Sequence, residues 1–490
     1  MKKSNEIRTF RCCIMLLLTL TSNLSLIAQE RTSKYFFGIE FNNELCGYSE
    51  VFLNENGEKN YIEIIQKAYI SIRAMGRDII QKQAFTYHLD PTTGNFNYHV
   101  SSMEDGVNMR SAKMTLSGDT LYIESSSGKG LEKVYIPANT VLPNTLFYPH
   151  LKESFVIKGI QSMTYQCFNV SNGKVQEFEY TKVGSEDMEF NNRKYHAVII
   201  SENDPDTGLK TKYWIDTESG LRLKTESQNN ISIYLTDLTV VSKVKQGSWD
   251  DVIFIKTNVD IKDIRGITSM QVKASLEGIP ASSPDDLNVN GQIFEGEVSD
   301  NMINGIFKIA HAKYNGNNAP KIGDFDNASD KIAMYLSAEE MIESDDSSIA
   351  SIAKEVSSDA QNSWEIVKRL GYWINNNIKG SIYGGSAHET FVRGDGACGP
   401  QSLLMAALCR AAGIPSRVVW GCMYTPVEGG SFGHHAWNEV FMGATGWIPI
   451  DVTSKETDYV DSGHIRLGIL KTKVTVINFK EMEILDYMVK

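Results

Sequence analysis

The chain has 490 residues, more than one ordinary domain holds, since domains run to roughly 100–200 residues. Its 42% hydrophobic and 22% charged residues are globular values and exclude extended disorder. The formal net charge of -12 argues against a nucleic-acid partner, because neutralising phosphates needs basic surface.

The first residues read as an address. Lys2, Lys3, Arg8 and Arg11 precede a short apolar run, Ile14-Met-Leu-Leu-Leu-Thr-Leu20, and Ala28 is a fitting last residue before cleavage. The run is well short of the ~20 residues a spanning helix needs. Residues 1–28 are therefore expected to be a signal peptide. The mature protein is then exported, to the periplasm or outside the cell, with no stable membrane span. Cys12 and Cys13 precede the apolar run, so a lipidated cysteine is not indicated. Five cysteines remain, Cys46, Cys167, Cys398, Cys409 and Cys422, an odd number in an oxidising compartment. Their spacing matches no zinc pattern, and four of them read as buried free thiols.

Residues 29–245 are predicted to be a β-rich domain. Tyr35–Phe41, Tyr61–Ile65 and Lys194–Ile200 are rich in aromatic and β-branched residues. Turn signals recur at Asp90–Gly94, Ser117-Gly118, Asp204–Gly208 and Glu218–Gly220. Tyr213–Glu226 reads as a hairpin. Residues 246–330 are expected to form a small β module, with strands at Val252–Ile255, Ser269–Ala274 and Gly305–Ile309.

From residue 331 the pattern turns helical. Trp364, Val367, Leu370, Trp373 and Ile374 have the spacing of one helix face over Ser363–Ile378, and Ser347–Ala360 reads the same way. Gly380–Gly396 reads as a loop, Pro400–Ala412 as a further helix, and three strand-like runs follow. Residues 331–490 are thus predicted to be an α+β domain able to fold alone, behind an N-terminal antiparallel all-β region.

The sharpest local feature is Gly394-Asp-Gly-Ala-Cys398-Gly-Pro400. Pro400 suits a helix's first turn, so Cys398 is placed at a helix N-terminus. Unpaired N–H groups and the positive dipole end there favour a thiolate. His434-His435-Ala-Trp-Asn-Glu-Val440 and Trp447-Ile-Pro-Ile-Asp451 read as two strands of a hairpin. A turn centred on Gly443 sets His435 opposite Asp451, and alternation puts Trp437 and Glu439 on that same face, with His434 on the other. Cysteine, histidine and aspartate in these positions suit thiol acyl transfer. The thiolate attacks, the imidazole moves the proton, and the carboxylate orients the ring. Trp373 and Gln401 are candidates for a second oxyanion donor beside the Cys398 N–H.

These motifs resemble the core of the transglutaminase-like superfamily. They are Gly396-Ala-Cys398, Arg410–Arg417, His435-Ala-Trp-Asn-Glu-Val440 and Gly446-Trp-Ile-Pro-Ile-Asp451, in the family's order, over about residues 331–490. The resemblance implies a papain-like fold with Cys398, His435 and Asp451 as the catalytic triad and a peptide or protein substrate. Gly-Pro-Gln after the cysteine and Asn438 depart from the usual pattern. The expected function is an exported thiol acyl-transferase or amidase. The alternative is a non-catalytic envelope binding protein with a transglutaminase-like scaffold. Asp204–Gly208 reads as a turn rather than a calcium loop, no phosphate-binding glycine loop is seen, and no cofactor or metal is expected.

Overall fold

The computed structural model describes residues 31–490 apart from 56–59, 75–76, 106–108, 127–129, 171–172, 191, 206–209, 229, 279–282, 300–301, 322, 326–327, 382–383 and 471–477. The expected leader, 1–28, lies outside the described residues, as do 206–208 of the turn at Asp204. No helix among the described residues is long and apolar enough to cross a membrane.

The N-terminal region is one large sheet. Strands from Arg31–Phe41 to Leu131–Tyr135 form one antiparallel meander, and strands from Ser162–Asn169 to Ile231–Thr236 form a second. The two join where Arg31–Phe41 pairs with Ile231–Thr236. Two-residue alternation builds the inner face: in Glu44–Glu55, Ser49, Val51 and Leu53 are buried between half-buried Tyr48, Glu50 and Phe52. Leu121, near one edge, and Phe168, on the edge strand at the other end, share a core with Phe37 and Trp214. Such distant strands meet in one core only if the sheet curls around it. The expected hairpin is present as Lys210–Asp216 paired with Arg222–Ser227.

The small module is built differently from the expectation. Ile267–Glu277, Gln292–Ser299 and Met302–Ile309 do pair in a sheet, but its fourth strand is the distant Asn478–Val489. Phe254–Lys256, expected as a strand of this module, instead pairs with Ser431–Phe441. The boundary at 331 is therefore crossed by strand pairing in both directions. One apolar core unites the two parts: Val272, Leu276 and Phe307 of the small sheet, Met482 and Ile484 of the last strand, and Cys422, Tyr424, Phe432 and Ile465 of the C-terminal sheet. Strand partners far apart in sequence leave no local signal, which is why the pattern of residues 246–330 does not disclose the fourth strand.

The C-terminal part is α+β. Helices Ser347–Ser357 and Ser363–Asn377 pack on a central helix, Cys398–Ala411, whose residues Pro400–Arg410 are all buried. Behind it stands a sheet ordered Phe254–Lys256, Ser431–Phe441, Ser416–Thr425, His464–Ile469, with Trp447–Ile450 also on Ser431–Phe441. The stretch predicted as a loop, Gly380–Gly396, contains a helix, Ala387–Arg393. A reciprocal capping box, Ser386 with Glu389, starts this helix and Gly394, at φ 73°, ends it. Both signals are written in the sequence.

Candidate functional site

Three elements deliver the site. The central helix begins at Cys398, whose own N–H has no partner within the helix. Ser431–Phe441 carries His435, and the segment leaving Trp447–Ile450 carries Asp451. The helix is tied to the histidine strand twice: the Ser402 hydroxyl donates to the Ala436 carbonyl at 3.1 Å, and the Asn438 amide donates to the Ser402 carbonyl at 2.8 Å. Asn438, the departure from the family pattern, is thus fully buried and used as a brace.

The hairpin turns about Ala444, not Gly443. Phe441 faces Trp447, Val440 faces Ile448, and Asn438 faces Ile450. Continued by one residue, this register sets Asp451 opposite Trp437 rather than His435. The shift moves the pairing by two residues along one strand, so the facing side is preserved. His435 and Asp451 still meet on the diagonal, Nε2 to Oδ2, at 2.7 Å. That leaves Nδ1 as the ring nitrogen turned from Asp451, and the His435 imidazole acts electrostatically on the Cys398 thiol. Opposite His435 stands Gly421, where a Cβ would lie 2.0 Å from the Ile465 carbonyl, so glycine alone admits the strand beginning at His464.

The electrostatics follow from this placement. Burial pushes the Cys398 thiol up and Asp451 adds to it, but the His435 imidazole and a backbone contact with Ala436 outweigh both and hold it below its ordinary value. The other four cysteines among the described residues, all free and buried, are pushed up by burial, Cys409 and Cys167 to about 12. Burial pushes His435 down, and the Asp451 carboxylate with the Cys398 contact raises it to about 9. Asp451 is opposed by burial but is held well below the carboxylate range by His435 and a second histidine.

That second histidine, His464, was not singled out in the sequence. Its Nε2 lies 3.3 Å from Asp451 Oδ2 and its Nδ1 lies 3.4 Å from Asp461 Oδ1. Burial pushes it down, and Asp461 and Asp451 raise it well above the ordinary histidine value. No motif could have marked it, since it reaches the site from a strand paired with Ser416–Thr425. His434 points away and packs edge-on against Phe479, ring centroids 4.9 Å apart. Of the two oxyanion candidates, Gln401 spends its amide on the Gly396 carbonyl at 2.8 Å, and Trp373 stacks on Phe391. Gln401 thus braces the cysteine loop, and Trp373 packs on the helix Ala387–Arg393 that precedes it. Glu439, on the face expected, is neutralised by Arg417 and Arg466, and Arg417 lies over Trp447.

Two buried sets bring potential metal-ligand atoms within 4.8 Å of one another: His435, Asp451 and His464, and Glu456, Asp461 and His464. In both, hydrogen bonds between ring and carboxylate account for the approach.

Residues 350–452 match the model of the transglutaminase-like superfamily. That segment contains Cys398, His435 and Asp451, so the C-terminal part carries a transglutaminase-like core. Among solved structures, the chain is similar to a "Putative Cysteine Protease" from Cytophaga hutchinsonii at 14% identity. That match covers 45% of this chain and 88% of that one, with a TM-score of 0.33. It is also similar to a "putative protease" from Parabacteroides distasonis ATCC 8503, at 12% identity over 72% of this chain and 63% of that one, with a TM-score of 0.18. No curated protein matches the chain.

Proposed function

We propose, taking the transglutaminase-like core over residues 350–452 as the premise, that the chain is an exported thiol amidase acting on peptide or protein amides through Cys398, His435 and Asp451. The observation that carries this reading is the contrast among cysteines. Among the described residues four are buried and held protonated; the fifth starts a helix, is partly exposed, and is held below its ordinary pKa by a histidine that bonds to a buried aspartate at 2.7 Å.

In this reading the thiolate of Cys398 attacks the amide carbonyl carbon. The developing oxyanion is stabilised by the helix N-terminus, including the Cys398 N–H. The His435 imidazolium gives its proton to the leaving amine, the C–N bond breaks, and a thioester remains. A water molecule then attacks the thioester, His435 takes its proton, and the acid and the thiolate–imidazolium pair are released. Asp451 keeps the ring turned and stabilises its cation throughout. An amine acceptor in place of water would give transamidation. Water at ~55 M, with no amine site in view, favours hydrolysis.

Alkylation by iodoacetamide tests the reading without a known substrate. Wild-type Cys398 reacts at pH 6, well below the ~8.5 of an ordinary thiol, and His435→Ala loses that reactivity. A Cys398 that reacts at pH 6 no faster than an ordinary exposed thiol would sink the enzyme reading in favour of a scaffold that binds a partner. Export is checked separately by the N-terminus of protein from the source cell, which should lack residues 1–28.

A further inference from the structure

Asp451 serves two histidines. Its Oδ2 lies 2.7 Å from His435 Nε2 and 3.3 Å from His464 Nε2. Its Oδ1 accepts the backbone N–H groups of Thr453 at 2.9 Å and Ser454 at 3.2 Å. On its other side, His464 Nδ1 lies 3.3 Å from the Asp461 carbonyl oxygen and 3.4 Å from Asp461 Oδ1. Both ring nitrogens therefore face acceptors, in a ring with no exposed surface. A neutral imidazole has one donor and one acceptor nitrogen, so either tautomer would set a lone pair against an oxygen. Only the imidazolium donates both ways.

The surroundings fit a fixed cation. Glu456 accepts the Asp461 N–H at 2.9 Å and pairs with Arg265 at 3.0 Å. His311 reaches the same Asp461 carbonyl at 3.1 Å, held neutral by burial and by the charge of His464. His435 and Trp437 meet the His464 ring edge-on at 5.5 and 5.2 Å between centroids. Three acidic groups thus surround His464, from the turns after Trp447–Ile450 and before His464–Ile469; burial, with Asp461 beside it, pushes Glu456 up to about 7, so Asp451 and Asp461 are the two that carry charge throughout.

We propose that His464 is a positioning residue of this site: a buried cation locked between Asp451 and Asp461 that fixes the aspartate and shares its charge with His435. The inference rests on the reading of Cys398 as a nucleophile. Without His464, His435 is the one cation left on Asp451, and Asp461 keeps the Gly463 N–H at 2.7 Å but loses its cationic partner. Both changes make the local field more negative. The Cys398 thiol then ionises at higher pH, and the His435 imidazolium holds its proton to higher pH. Unit charges 5.5 Å apart, the separation of the His435 and His464 rings, give at an effective dielectric constant of about 20 a shift of about two pH units on His435.

The test uses the full chain with His464→Gln, a neutral side chain that keeps an N–H donor. Cys398 alkylation is followed from pH 4 to 10, with the labelled site read by mass spectrometry. The midpoint of the acid limb should move up by about one pH unit or more, with the high-pH rate within a few-fold of wild type. An unmoved midpoint in a variant that melts cooperatively overturns the proposal. A second measurement covers a variant that does not fold: histidine 15N spectra of the His435→Gln chain at pH 8. One histidine retaining both ring protons supports the proposal, and none overturns it. This arm is independent of thiol chemistry. Wild-type protein without low-pH reactivity would defeat the enzyme reading and leave the His464 cation to be judged by its spectrum.

Discussion

Deleting the last strand should unfold the part of the molecule that holds the site, although no catalytic candidate lies on it. Asn478–Val489 pairs along nearly the whole of Ile267–Glu277, and Asn258 clamps it by donating to the Ile484 carbonyl and accepting the Ile484 N–H. Met482 and Ile484 are each 4% exposed and lie in the core shared with Cys422, Tyr424 and Phe432. Tyr424 and Phe432 belong to the two strands that meet at His435. Removing a buried Met or Ile side chain costs about 2–5 kcal/mol, so the pair is worth about 4–10 kcal/mol before the lost backbone pairing is counted. Against a typical stability of about 5–15 kcal/mol, that runs from about a quarter to the whole. The assay is urea unfolding of the chain lacking residues 478–490, with Cys398 alkylation at pH 6 as a second readout. Met482→Ala alone should lower the unfolding free energy by about 2–5 kcal/mol. By the same reasoning, residues 331–490 should not fold alone, because Ile267–Glu277 is missing, whereas residues 246–490 should. A deletion that costs under about 2 kcal/mol would refute a shared core.

Two further outcomes follow from the charges at the site. Asp451→Asn should lower the pH 6 alkylation rate of Cys398 less than His435→Ala does, because the thiol keeps its imidazole but the ring loses its orienting anion. The second concerns stability in a Cys398→Ala background. His435 there has a folded pKa raised above its unfolded ~6.5, so its contribution is full below pH 6.5 and is lost as pH rises through the folded value, about 9 in the intact site. The difference in unfolding free energy between Cys398→Ala and Cys398→Ala with His435→Gln should therefore shrink between pH 6.5 and 9, by at most about 2–3 kcal/mol because Cys398 no longer helps to raise His435. A pH-independent difference would mean that Asp451 does not hold the proton.

What the sequence disclosed was local. Trp364, Val367, Leu370 and Ile374 show their helix by spacing alone, and all four are buried on one face. Cys398 announces its helix start through Pro400 two residues on. The hairpin turns on Ala444 rather than Gly443, a shift of two residues that leaves parity intact and the face correct. The helix Ala387–Arg393 was missed although its capping box is present, because its seven residues are too few to show a periodic face. What stayed hidden was pairing over long sequence distance. Ile267–Glu277 finds Asn478–Val489, and His464 reaches Asp451 through a third strand. No periodicity or spacing carries such information; it arises only when the sheets close.

The cysteine helix and the histidine strand come from different layers of the domain, so something must set their separation. Two hydrogen bonds do so one turn from the thiol, both through Ser402: hydroxyl to the Ala436 carbonyl, and carbonyl from the Asn438 amide. Ala436 adjoins His435, so slippage there carries the imidazole with it. Replacing both, Ser402→Ala with Asn438→Leu, removes the clamp but leaves an apolar pair inside a well-filled core. Replacing polar partners together by apolar groups of similar shape is close to neutral for stability, and the Asn438 Oδ1, buried without a hydrogen-bond partner, is removed as well. Catalytic geometry is less forgiving, since a misplacement of about 1 Å can cost about a hundredfold. The double variant should therefore melt close to wild type while its pH 6 alkylation falls about tenfold or more relative to its own rate at pH 9, where the thiol ionises without help. The ratio of the two rates is the measurement, because it cancels any change in access to the sulfur. An unchanged ratio at an unchanged melting temperature would show that strand pairing and core packing alone hold Cys398 against His435, with Ser402 and Asn438 doing nothing for the thiolate.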